Sequence, residues 1–148
     1  MGLKSGAGVE SVLRTSFAAQ GKNVGQLETN REQLSFFDGL PETAQRGLLE
    51  GAIETPTGMN KDFNRMLAAW ARGDVGAIAA SFNRDLASSP AMRDALLNRR
   101  NANWTRWVEQ RMAKPGSVMV AVGAGHLAGR NSLIDMLQRQ GMKVRRLQ

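Results

Sequence analysis

The stretch that most constrains this fold is "SVMVAVG", residues 117–123. Apolar side chains follow one another without the alternation of a half-exposed strand. Pro115 and Gly116 bound the stretch on one side, and Gly123 closes it on the other. Such a run predicts a strand buried on both faces, as in a parallel sheet covered by helices. The segment "RNSLIDMLQRQG" follows with helical spacing and ends at Gly141, and "KVRRL" then reads as a short final strand. Together these predict a C-terminal βαβ unit with a right-handed crossover. A further short strand is expected in "NVGQLE", residues 23–28.

The rest reads as helix. Val9, Val12, Leu13, Ser16 and Phe17 recur at helical spacing until Gly21 stops them. Thr29 and Glu32 have the spacing of a capping box, and that helix ends near Gly39. Pro41 opens the next helix, which presents Ala44, Leu48, Leu49 and Ile53. A linker is expected at 54–59, then helices over 60–72 and 74–83, a break at 88–90, and a long helix over 91–113. The fold class is therefore α/β: mostly helical, with a small, partly parallel sheet. Three short strands are few for such a sheet. Either the sheet is very small or the chain is part of a larger domain.

Composition narrows the function classes. Hydrophobic residues make up 42%, enough to build a core. The net charge of +7 raises the question of a nucleic-acid partner. Lys and Arg are scattered among acids, however, and aromatics do not interleave with them, so nucleic-acid binding is not expected. The absence of cysteine excludes disulfides, thiolate metal sites and a cysteine nucleophile. No apolar run reaches the length of a membrane helix, so no membrane span is expected. The N-terminal residues lack the apolar stretch of an export signal.

Two polar residues stand at expected strand ends, where open α/β sheets gather their ligands. Glu28 closes the first strand, and His126, the single histidine, follows the second. Carboxylate and imidazole both serve divalent metals. Equally, His126 fits a loop residue capping the next helix, and Glu28 a first-turn acid favoured by the helix dipole. "GAGHLAG" suggests a loop needing positive φ or close backbone approach. Its spacing is not that of a phosphate- or dinucleotide-binding loop. No Gly-x-Ser-x-Gly elbow supports a serine triad.

In the long helix, Trp104 and Val108 fall within about 20° of Leu97, with Arg100 and Asn101 at the edges of that apolar face. A buried arginine needs a partner. Arg100 therefore either snorkels to solvent, pairs with a structural carboxylate, contacts an anion or substrate, or supports Glu28.

"GVESVLRTSFAAQGKNVGQLETNREQLSFFDGLPETAQRGLL", the later "RN-x-x-W" at Arg100, Asn101 and Trp104, and the ending from Val122 to Leu147 resemble the TraB/PrgY/GumN family, which includes the Tiki-type proteases. The resemblance covers nearly the whole chain in order. It implies a divalent-metal-dependent peptide hydrolase built on two Gly-x-x-His motifs and a glutamate. Only the second motif is present, as Gly123-Ala124-Gly125-His126. By this resemblance residues 1–148 form a partial domain lacking the half that carries the first motif. His126 and Glu28 become metal ligands, with Gly123 and Gly125 in the metal-binding turn. Glu28, Arg100 and Asn101 become the catalytic set, with Arg100 and Asn101 steadying the ligands or a developing anion. The expectation is weak or absent binding of Mn, Co or Zn and no hydrolysis by this chain alone. The alternative is a non-enzymatic peptide-binding or sequestering protein, and a homodimer that completes the sheet is a third reading. The resemblance also places the parent protein in the periplasm or cell envelope.

Overall fold

A computed structural model describes residues 8–53, 59–86 and 89–147. The helices run α1 (Val9–Ala19), α2 (Asn30–Asp38), α3 (Glu42–Ile53), α4 (Met59–Ala71), α5 (Val75–Asp85), α6 (Pro90–Arg93), α7 (Arg99–Met112) and α8 (Leu133–Arg139). A π-helical turn, Asp94–Asn98, joins α6 to α7 without interrupting the rod, and a single 3-10 turn forms at Ala124–His126. Most of the linker expected at 54–59 lies outside the described residues, as do residues 87 and 88 at the expected break.

Local chemistry sets the helix ends. Glu32 N–H donates to Thr29 Oγ1 at 3.2 Å, while the Glu32 carboxylate accepts from Thr29 N–H, so the capping box forms. Ser89 and Ser132 cap α6 and α8 by accepting from the backbone N–H three residues on. Gly21 and Gly141 adopt φ of 67° and 81° just past α1 and α8, where a side chain would be strained.

The sheet expected from the sequence does not form. Among the described residues there is no strand, so the partly parallel sheet and the C-terminal βαβ unit are both overturned. Residues 117–123 and 143–147 run without any strand partner. Val118 is 40% and Met119 56% exposed, the reverse of a strand covered on both faces. An apolar run becomes a strand only where neighbouring strands take its N–H and C=O groups. None of the described segments does so here.

Packing is divided between two small cores. Leu40, Ala44, Met92 and Ala95 form one, where α3 meets α6 and the π turn. Trp104, Leu133 and Leu137 form the other, where α8 lies on α7, with Leu27, Val108, Val122 and Met142 packed around it. The α6–α7 rod contributes to both. An inserted residue rotates a helix face by about 100°, so the π turn offsets the face of α7 from that of α6. The second core fixes the candidate site, because Leu27 precedes Glu28 and Val122 leads into the turn of His126.

Leu133→Ala removes a nearly fully buried side chain from this second core. The expected cost is about 2–4 kcal/mol, read by urea unfolding followed through tryptophan emission. An unchanged midpoint would show that α8 does not depend on the Trp104 cluster.

Candidate functional site

Glu28 lies just before the N-cap of α2, not in its first turn. Its carboxylate meets the guanidinium of Arg100 across 72 positions of sequence. Arg100 Nε donates to Glu28 Oε1 at 2.9 Å and to Oε2 at 3.2 Å, and Arg100 Nη2 also donates to Oε1. Gln33 Nε2 adds a hydrogen bond to Oε1 at 3.1 Å. Arg100 Nη1 donates to the carbonyl of Leu96 at 3.2 Å. The guanidinium also lies 4.9 Å from the Trp104 ring centre and 5.9 Å from that of Phe36, within cation–π range.

His126 also packs against Trp104, with ring centres 4.6 Å apart and ring planes tilted by 53°. His126 ends the 3-10 turn, its N–H donating to the carbonyl of Gly123 at 2.9 Å. It does not cap α8; Ser132 does. Gly125 is buried in this turn, whereas Gly123 is exposed and holds an ordinary extended φ of −58°. Within the glycine loop the expected positive φ falls at Gly129, 86°, and a second one follows just beyond it at Asn131, 63°.

Asn101 fixes the state of the imidazole. It is the most deeply buried large side chain, 2% exposed. Its Nδ2 donates to the carbonyl of Asn131 at 2.8 Å, which leaves Oδ1 facing His126 Nδ1, also at 2.8 Å. Turning the amide over would set its oxygen against the Asn131 carbonyl. Nδ1 therefore carries the proton, and Nε2 keeps its lone pair. Burial pushes the imidazole down from 6.5 to about 4, with Arg100 adding to the effect and Glu28 opposing it. At neutral pH His126 is thus an uncharged base or ligand.

Asn131 was not singled out by sequence reasoning, yet it holds Asn101 in place. Its own N–H donates to Asp135 Oδ2 at 2.7 Å, and Arg139 bonds to both Asn131 Oδ1 and Asp135. A left-handed asparagine two residues before a helix is a recognisable local signal, since Asn tolerates that conformation better than other side chains. Two cavities flank the His126 turn. An apolar one of about 230 Å³ is lined by Phe63, Met66, Leu67, Trp70, Ile78 and Ala124. A polar one of about 190 Å³ borders Gly125, Asn101 and Asn131.

The expected residues are thus brought together, though not at strand ends: Glu28 reaches Arg100, His126 reaches Asn101, and Trp104 lies between. Among the described residues, no group of three His, Asp or Glu side chains is placed to hold a metal ion. The donors at hand are one imidazole and one carboxylate that a guanidinium already occupies. These residues do not by themselves fit a metal.

Breaking the pair should expose its cost. Arg100→Met leaves a buried carboxylate without its partner and is expected to destabilise by about 3 kcal/mol, while Glu28→Leu/Arg100→Met recovers much of the loss. Equal losses in the single and double variants would rule out this coupling. His126 makes a separate prediction. The unfolded chain binds a proton below about pH 6.5 and the folded chain only near 4, so stability falls as the pH drops through that window. The loss is on the order of 3 kcal/mol by pH 4, and His126→Gln should flatten that part of the profile in urea titrations.

A model of the TraB/PrgY/gumN family matches residues 1–146, nearly the whole chain. No curated protein and no solved structure matches it.

Proposed function

The chain belongs to the TraB/PrgY/gumN family, and on that premise we propose that it is a peptide-binding protein that does not by itself cleave what it binds. The observation that carries this reading is the setting of His126. An uncharged imidazole with a free Nε2 sits on a short turn, with an apolar cavity against Ala124 and a polar one against Gly125. Apolar pockets with a few placed polar groups suit small ligands and single side chains. A peptide crossing the turn would set an apolar side chain against Leu67 and Trp70 and its backbone near His126.

The hydrolytic reading uses the same residues. His126 would be a ligand for a divalent metal, Glu28 a ligand or base, and Arg100 and Asn101 their support. Against it stand the donor count and the Arg100 guanidinium, whose positive charge lies directly on the carboxylate. Hydrolysis would require further donors, such as a second Gly-x-x-His, from outside this chain.

Short peptides with a central Leu or Phe should change the tryptophan emission of the purified protein. That change should be unaffected by EDTA and lost in Trp70→Phe. Mass spectrometry of the same peptides after incubation with Mn, Co or Zn should show no cleavage. Metal-dependent cleavage that disappears in His126→Ala would replace the binding reading with the hydrolytic one.

A further inference from the structure

The polar cavity has features that the peptide reading does not use. One wall runs from the end of α6 through the π turn to the start of α7 and supplies Arg93, Asn98 and Asn101; the other is the loop that supplies Gly125, Arg130, Asn131 and Ser132. Both walls contain irregular backbone. A π-helical turn is uncommon, and Asn131 holds φ at 63°. Such conformations are costly and persist where their surroundings enforce them, often beside a bound ligand.

The charge balance of the cavity is one-sided. Among the described residues, no carboxylate lines it. The acids closest in sequence to its two walls are already matched: Asp94 pairs with Arg99, and Asp135 with Arg139. Arg130 makes no ion pair or hydrogen bond among the described residues, and it stands beside asparagine amides and a serine hydroxyl. A planar guanidinium backed by neutral donors is the arrangement that binds compact oxyanions.

We infer that this cavity is an oxyanion subsite, taking a carboxylate or a phosphate group between Arg130 and Asn98. It is separate from the Glu28–Arg100 pair but shares Asn101 with His126, so an occupant would lie one side chain away from the imidazole. The carboxylate of a peptide and free phosphate present the same chemistry to it. A phosphate ligand requires nothing of the peptide reading, so the two can fail separately.

The test is isothermal titration of the full chain at fixed ionic strength with three probes: inorganic phosphate, a short peptide with a free C-terminal carboxylate, and the same peptide amidated. Saturable binding of phosphate or of the free-carboxylate peptide is expected, weakened at least tenfold in Arg130→Gln and unchanged in Arg106→Gln. Arg130 is exposed, so its replacement should leave the fold intact, as circular dichroism would verify. Tighter binding of the free-carboxylate peptide than of the amide identifies a peptide source; binding of phosphate alone identifies a free anion. No saturable binding of either anionic probe, or equal binding by Arg130→Gln and the native chain, overturns the inference.

Discussion

The ion pair between Glu28 and Arg100 organises the second half of this molecule. It fastens the segment before α2 to the first turn of α7, and it does so at a site largely shielded from water. A guanidinium in that position would be costly alone. Here it is partnered by a carboxylate and a backbone carbonyl, and it lies over two aromatic rings. Trp104 extends the arrangement, because its ring meets both the Arg100 guanidinium and, at a tilt, the His126 imidazole.

A second fixed element adjoins this aromatic cluster. Asn101 has one amide orientation because Asn131 leaves it no other, and that orientation sets which imidazole nitrogen carries the proton. The chain from Arg139 through Asp135 and Asn131 to Asn101 and His126 passes from the exposed face of α8 to the buried ring. Supporting partners of this kind commonly fix the tautomer of a functional histidine. The aromatic cluster and the amide network meet at His126.

Much of the helical part was legible in the sequence, and the sheet was not. The capping box at Thr29 and Glu32 and the stop at Gly21 are local chemistry that needs no partner, so sequence spacing reveals them. The apolar face placing Arg100 and Asn101 inward was equally readable, since both lie on one regular helix. The run at 117–123 failed as a strand because its periodicity describes the segment and not its neighbours, and pairing is a property of two segments. The π turn likewise left no mark in the spacing. Arg100 had four readings in the sequence, and only the distance to Glu28 shows that the two residues meet. Asn131 escaped notice because its contribution is a carbonyl.

The two cores have a consequence for how the molecule comes apart. They are strung on one rod, the first around Met92 and Ala95 and the second around Trp104. At Asp94–Asn98, between the two cores, the i→i+4 ladder of the rod gives way to i→i+5 bonding. Were the rod to open locally, that turn is where the α3 side and the α7–α8 side would part, as units with separate opening energies. The residues of the polar cavity straddle that turn. Whatever binds there would clasp the two units together, so occupancy and cooperativity of unfolding become one property.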